Sequence, residues 1–529
     1  MINKINNHRP VVMIRSLAVV TISLQLLIDF QLCVPVLSNS FNCSLNISGS
    51  SQYGEDLTFA EASIQCIPGP STAATAKLAM LLHESLRPHL TSFNGRSSFR
   101  RAPYARAMPM VSSLLAGVEV NFPESTAALI SVNTDAEVTF WASRLESVNA
   151  WNLSSIVGLG MQIGQALFTD FNATGCNAAT ALITLQPDIS MDAQDSRTVQ
   201  IQSSSFSKSA VRAVYIASYS SAVVADSNFY LSDGSALTVR SSGQLEVHNS
   251  TFSKLTVPDG AAALDLQLQR LQVRGSNFTD STGRAVLVWA AQNVSISHSR
   301  FEANSQGALA CNTLQLDIAS SHFIANTADL GGALYLSSVT SGRVIDCVFQ
   351  DNDARPDAGQ VADAFHTQDG GAIYLFGGQN MDILGGTFSN NSAFASGGAI
   401  NSWQLSGVLN IDGCIFDSCQ AGSSLGSVLY VYGGLERITS VFLRNSHISG
   451  SLGSTSVSVR SASCLGVINT TIGNSDQLGL SAVDMGGQCD LMFMQEPVLL
   501  HRDTISSDPA YSDSVYESIG ADISVCVFR

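Results

Sequence analysis

The densest set of side chains able to do chemistry lies between residues 351 and 369. Asp351, Asp353, Asp357, Asp363 and Asp369 fall there with His366, and Arg343 and Arg355 are close in sequence. Carboxylate oxygens are hard ligands suited to Ca²⁺, and a basic residue beside them could move a proton in general base catalysis. Together they would support a Ca²⁺ site beside a general base. The competing reading is a solvated acidic loop, and it is favoured. No Asp-Asp pair and no Gly-His-Gly accompanies the cluster, and no pair of carboxylates on adjacent repeats faces one groove as inverting hydrolysis requires. His248, His298, His322 and His447 fall near one bend at different offsets, so they do not stack as metal ligands. Trp141, Trp151, Trp289 and Trp403 share no register and are read as core packing or capping. Phosphate loops, zinc spacings and nucleophile triads are absent from the sequence.

A second candidate is a row of side chains in a recurrent apolar–variable–apolar tripeptide. Leu237-Thr238-Val239, Leu264-Asp265-Leu266, Leu334-Tyr335-Leu336, Ile373-Tyr374-Leu375 and Leu429-Tyr430-Val431 show it. Strand alternation puts the flanking pair inside and the middle residue outside. The outward row runs Thr238, Asp265, Leu287, Ala310, Tyr335, Tyr374, Asn401, Tyr430 and Ser458. Tyr335, Tyr374, Asn401 and Tyr430 are the expected contact residues on an exposed sheet, because exposed aromatic residues favour interfaces. Cross-strand stabilisation of the sheet is the alternative.

Both candidates need a scaffold, and a recurrent Phe supplies it. Ile201-Ser204-Phe206 sets a frame with an apolar residue five before each Phe and a small one two before it. The frame recurs at Phe229, Phe252, Phe278, Phe301, Phe323, Phe349, Phe388 and Phe416, in steps of 23, 23, 26, 23, 22, 26, 39 and 28 residues. Repeats of this size, made of short alternating runs separated by Ser, Asn and Gly turns, predict the stacked rungs of a parallel β-helix. A leucine-rich repeat would need a Leu consensus that the chain lacks. Phe140-Ser143-Leu145 and Ile163-Ala166-Phe168 extend the frame backward; Leu443-Ser446-Ile448 and Val467-Thr470-Ile472 extend it forward. Roughly a dozen coils over residues 118–485 would make a rod about 55–60 Å long.

Residues 1–38 read as a signal peptide: Lys4, Arg9 and Arg15 precede the apolar stretch Leu17–Ile28, and Val36-Leu37-Ser38 offers a cleavage site. Residues 39–117 read as a cap or linker with a short helix at Thr72–Leu86, and residues 486–529 as a cap or tail. Removing the signal leaves 23 basic and 41 acidic residues, a net charge of −18, which argues against nucleic acid and anionic membrane partners. No stretch after the signal is long and apolar enough to predict stable membrane insertion. Ten cysteines then remain, an even number suited to disulfides, with Cys414 and Cys419 the best local pair. Nine N-x-Ser/Thr sequons are permissive of glycosylation.

Two motifs sharpen between residues 301 and 401. Phe301-Glu-Ala-Asn304, Phe323-Ile-Ala-Asn326, Phe349-Gln-Asp-Asn352 and Phe388-Ser-Asn-Asn391 read F-x-x-N. Gly331-Gly332-Ala-Leu334, Gly370-Gly371-Ala-Ile373 and Gly397-Gly398-Ala-Ile400 read G-G-A-[IL]. Their alternation resembles the repeats of the chlamydial polymorphic outer membrane proteins, which also occur in secreted proteins of algae and other protists. The resemblance implies a right-handed parallel β-helix of the pectate-lyase-like superfamily, with an adhesive or structural role at the cell surface or outside the cell. The bacterial family ends in an outer-membrane barrel, for which residues 486–529 are too short. Physically, both motifs are structural: Asn tolerates a left-handed turn and can bond along the stack, and Gly supplies freedom at a bend. The β-helix pectate lyases are the precedent for the Ca²⁺ reading of the acidic insertion. The leading expectation is a secreted or cell-surface, non-catalytic protein, with no cofactor, that contacts an extracellular glycan or protein in adhesion, cell-wall or matrix work. The alternative is a lyase or hydrolase of acidic glycans, with Ca²⁺.

Overall fold

A computed structural model describes residues 165–186, 197–258, 260–355, 368–422, 426–433, 439–452 and 455–460 continuously, with separate strands on either side between residues 41 and 507. These residues form an all-β, right-handed parallel β-helix of about 11 turns. One coil shows the plan. Leu334–Ser337 leads to Ser341–Ile345, then to the three-residue strand Val348–Gln350, then to Asp353–Ala354 and on to Ile373–Phe376 of the next coil. Each strand pairs in parallel with its equivalents above and below, so one sequence position becomes one longitudinal row.

The apolar row runs from Ile201 through Val224, Val247, Val273, Ile296, Ile318, Val344 and Ile383 to Ile411, Leu443 and Val467. The Phe row runs beside it from Phe206 to Phe416, all buried, with neighbouring rings stacked 4.7–5.0 Å apart. Strand spacing and ring stacking have the same repeat, so one residue type satisfies both at every coil. Ile448 and Ile472 continue this row. One earlier rung differs from the sequence reading. Phe168 pairs with Ile201 and therefore belongs to the apolar row, while Ala173 takes the Phe position beside Phe206. Phe171 fills the space that Ala173 leaves, meeting Phe168 edge-on at 5.6 Å and tilting against Phe206 at 5.7 Å.

Both corners around the Phe strand contain a left-handed residue. The first row includes Ser203, Asp226, Asn249, Gly275, His298 and Ser320; the second includes Lys208, Leu231, Lys254, Ala303 and Ala325. The small residue two before each Phe locks the first corner. Ser204, Ser227, Ser250, Ser276 and Ser299 each donate a backbone N–H to the hydroxyl of the next coil's serine at 3.1–3.2 Å. Each of those hydroxyls in turn donates to the carbonyl two residues upstream, as Ser227 Oγ does to Ala225 O at 2.7 Å.

The F-x-x-N asparagines lock the second corner from inside. Left-handed geometry falls on the residue before each Asn (Ala303, Ala325, Asp351, Asn390), and the Asn side chain is fully buried. This corrects the expectation that the Asn itself takes the left-handed turn; its inward amide is needed for bonding along the stack. Asn304 Nδ2 donates to Asn326 Oδ1 at 2.9 Å, Asn326 to Asn352 at 3.0 Å, and Asn352 to Asn391 at 3.0 Å. Each amide also donates to the carbonyl of a Phe on the coil before.

The cysteines correct another expectation. Among the described residues Cys311, Cys347, Cys414 and Cys419 are buried free thiols. Cys414 occupies the serine row and Cys419 the asparagine row, with the inward ring of Phe416 between them, so they do not pair. The N-terminal strands Phe41–Ser48 and Glu61–Pro68 form an antiparallel pair, which joins Met110–Ala116 in parallel and leads into the stack. The helix expected at Thr72–Leu86 and the signal segment lie outside the described residues. Among the described residues no helix is long and apolar enough to cross a membrane.

Candidate functional site: an aromatic and arginine-bearing sheet face

The predicted outward row is assembled in register. Thr238, Asp265, Leu287, Ala310, Tyr335, Tyr374, Asn401, Tyr430 and Ser458 are successive cross-strand partners. Tyr335 and Tyr374 stack at 5.8 Å with planes 10° apart. The row is not, however, exposed. Tyr374 and Tyr430 are each 6% accessible and Asn401 0%, and Tyr335 packs on a small external apolar cluster of Ala262, Leu287 and Ala310. Burial raises the pKa of Tyr374, so its phenol stays protonated at any physiological pH.

The glycine corners account for part of this cover. Gly331, Gly370, Gly397 and Gly426 have φ between +60° and +70°, and a Cβ on Gly397 would lie 2.9 Å from the Asn401 Cβ. The first glycine of each corner thus presses on the base of the row. The second has no room for a side chain either: a Cβ on Gly332, Gly371 or Gly398 would meet a carbonyl oxygen of the neighbouring coil at 2.3, 2.0 and 2.2 Å. The following Ala333, Ala372 and Ala399 are buried inside the coil. Every residue of the motif is thereby used by the architecture.

The exposed row lies two residues further along the same strands. Ser337, Phe376, Trp403, Tyr432 and Arg460 are successive partners on the outer face. Phe376 is 40% accessible, and Trp403 and Tyr432 are half-buried and stacked at 4.4 Å. Phe376 also lies over Tyr374, with centroids 6.5 Å apart. The ring planes of Trp403 and Tyr432 face one another, so the platform presents ring edges to solvent. Sequence reasoning missed this row because it followed one residue per strand. The signal was present in Ile373-Tyr-Leu-Phe376, Ile400-Asn-Ser-Trp403 and Leu429-Tyr-Val-Tyr432, where alternation puts the fourth residue outside as well. Trp403 is therefore in register, and Trp289, 56% accessible, is not core packing. Trp141 and Trp151 lie outside the residues whose side chains are described.

The charge on this face is inverted relative to the chain. The chain has 26 basic and 42 acidic residues. Yet the stretches of strand on this face up to Arg460, taken before the long strands bend into the next face, carry Arg212, Arg240, Arg284 and Arg460 against one carboxylate, Asp265. Arg284 is half-buried, donates from Nε to Gln306 O at 3.0 Å, and has its pKa lowered chiefly by burial, with Tyr335 and Asp329 opposing.

The acidic insertion looks different. Asp357, Asp363 and His366 lie outside the described residues. Asp353 is buried, accepts from Ser392 Oγ at 2.7 Å and pairs with Arg355. Asp369 is buried and accepts from Ser396 N at 2.9 Å. Asp351 is exposed and takes a bond from Gln350. Arg343 sits on a different sheet, between Asp317 and Asp382 in its row. The buried carboxylates are thus engaged in holding corners. Among the described residues no three His, Cys, Asp or Glu side chains group as a metal site. His298, His322 and His447 are exposed at corners, and His248 bonds Glu246 at 3.1 Å.

Comparison with known proteins agrees with this geometry. Residues 259–412 match a family described as a right handed beta helix region. No curated protein and no solved structure matches the chain.

Proposed function

We propose that this chain is an extracellular, non-catalytic β-helix protein that holds a glycan or protein partner along one sheet face. The observation that carries the reading is the run Phe376, Trp403 and Tyr432 on consecutive strands, next to the buried Tyr374 and Tyr430 and ended by Arg460. Rigid aromatic side chains and arginines are the residue types enriched at recognition surfaces. On a parallel β-helix they repeat at strand spacing, which suits an extended partner lying along the axis. The match to a right handed beta helix region fits extracellular β-helix proteins generally. The G-G-A-[IL] and F-x-x-N resemblance supports an adhesive, cell-wall or matrix role at the cell surface or beyond it, and the serine- and asparagine-rich turns with their sequons fit secretion. The engagement of Asp353 and Asp369 in corner bonds weighs against the Ca²⁺-dependent lyase alternative.

A glycan array paired with a polyuronate-cleavage assay, both on the secreted chain, tests the proposal. Binding without cleavage, lost when Phe376, Trp403 and Tyr432 are replaced together by Ser, is the expected result. Cleavage that responds to Ca²⁺ would overturn it.

A further inference from the structure

On the early coils of the same face, three side chains, Arg212, Arg240 and Trp289, converge on one carboxylate, that of Asp265. Asp265 Oδ2 accepts from Arg240 Nη2 at 2.5 Å, and Asp265 Oδ1 accepts from Trp289 Nε1 at 2.9 Å. Arg240 Nη1 also donates to the Asp265 carbonyl at 3.0 Å and to the Val239 carbonyl at 3.3 Å. Arg212 feels the charge of both Asp265 and Arg240, and its guanidinium lies 5.6 Å from the centre of the Tyr215 ring. Its Nε is buried without a hydrogen-bond partner. Burial lowers the Arg212 pKa, Asp265 opposes that shift, and Arg240 adds to it.

The charges do not close. Both oxygens of the single carboxylate are taken, by Arg240 and by the indole, while two guanidinium groups stand beside it. A structural ion pair needs one arginine; a second, partly desolvated one adds repulsion and an unmet donor. Such a surplus on a chain of net charge −16 is suited to an anion supplied from outside, and the planar guanidinium fork matches an oxyanion. Trp289 is 56% accessible and tethered through Nε1 to Asp265, so a flat apolar ring is held beside the surplus charge.

We propose that Arg212, Arg240 and Trp289 form an oxyanion subsite that takes the carboxylate or sulfate of an acidic saccharide. This rests on the contact reading of the face and deepens it by naming the ligand chemistry. The tethered indole gives the sugar an apolar partner, and the half-buried Arg212 supplies the positive charge that Asp265 does not neutralise. The uncharged platform of Phe376, Trp403 and Tyr432 begins three strands beyond Trp289, about 14 Å away at strand spacing. The ligand is therefore a chain with spaced anions and apolar faces. A densely charged nucleic acid backbone would be repelled by the remaining acidic surface.

Titration calorimetry on the secreted chain tests this with three probes: hexagalacturonate for the carboxylate, a dextran sulfate oligomer for the sulfate, and cellohexaose as the neutral counterpart. At least one anionic probe is expected to bind tenfold or more tighter than cellohexaose and to weaken as salt rises, and the probe that does so identifies the anion. Arg212→Gln should bring that affinity down to the neutral level. Asp265→Asn, which removes the competing carboxylate, should raise it, so the two variants move in opposite directions. Anionic probes that bind no tighter than cellohexaose, or an Arg212→Gln chain with unchanged preference, overturn the subsite. Cellohexaose binding without an acid preference removes only the subsite; absence of binding to all three removes a glycan as the partner of the face as well.

Discussion

Replacing Asn326 by alanine probes the corner lock most sharply. The side chain is fully buried and makes four hydrogen bonds. Its Oδ1 accepts from the backbone N–H of Asn304 at 3.2 Å and from Asn304 Nδ2 at 2.9 Å. Its Nδ2 donates to Phe301 O and Asn352 Oδ1, both at 3.0 Å. Two of these partners keep another bond in the variant: Asn304 Nδ2 still reaches Phe278 O, and Asn352 Oδ1 still accepts from the backbone N–H of Asn326. The Asn304 N–H and the Phe301 carbonyl lose their side-chain partner. At about 1–3 kcal/mol for each buried group left unsatisfied, the loss is about 4 kcal/mol. Serine should cost about half as much, because its hydroxyl can accept from the preceding coil, as Ser232 Oγ accepts from Ser209 N at 3.4 Å. Urea unfolding gives the total, and native-state hydrogen exchange in His322–Ile324 reports the local opening. A cost below about 1 kcal/mol for alanine, or equal costs for serine and alanine, would refute the reasoning.

Further outcomes follow from the same rows. Gly371→Ala should prevent correct stacking, since its Cβ would lie 2.0 Å from Gly398 O, whereas Gly413→Ala, with nothing nearer than 3.8 Å, should cost only the roughly 1–2 kcal/mol of a left-handed alanine; thermal melts of the two variants compare them. Burial pushes the thiols of Cys311 and Cys419 up to about 12 and those of Cys347 and Cys414 up to about 11. The unfolded chain releases these protons near pH 8.5 and the folded chain holds them, so stability should fall above that pH by about 1.4 kcal/mol per pH unit for each thiol. Urea midpoints from pH 7 to 10 measure this, and a flat profile would contradict it. Asn401→Leu removes a buried amide with neither atom bonded and should stabilise the fold by about 1–2 kcal/mol in the same denaturation assay.

The fold was legible from one residue class because stacked coils turn a sequence position into a row. Phe301, Phe323 and Phe349 reveal the period, and the serines before them reveal a corner. Where the repeat is irregular, legibility fails. Phe168 resembles a frame residue by spacing, yet Ala173 holds that position because Phe171 supplies the missing volume from the corner. The Tyr335–Tyr374 register was readable from alternation, but its burial was not, since cover comes from glycine corners that fold back onto the row. Phe376, Trp403 and Tyr432 were hidden for a simpler reason: a strand of four residues has two outward positions, and only the first was followed. The cluster at Asp265 joins residues from separate coils through side-chain geometry that no local pattern encodes.

The central claim is that recognition belongs to the sheet face bearing Phe376, Trp403, Tyr432 and Arg460. Hydrogen–deuterium exchange on the chain, with and without a saturating partner, tests it most directly. Protection is predicted along Ile373–Phe376, Ile400–Leu405, Leu429–Gly433 and Thr455–Arg460. A footprint confined to the opposite sheets, at strands such as Ser341–Ile345 and Asn380–Leu384, would contradict it.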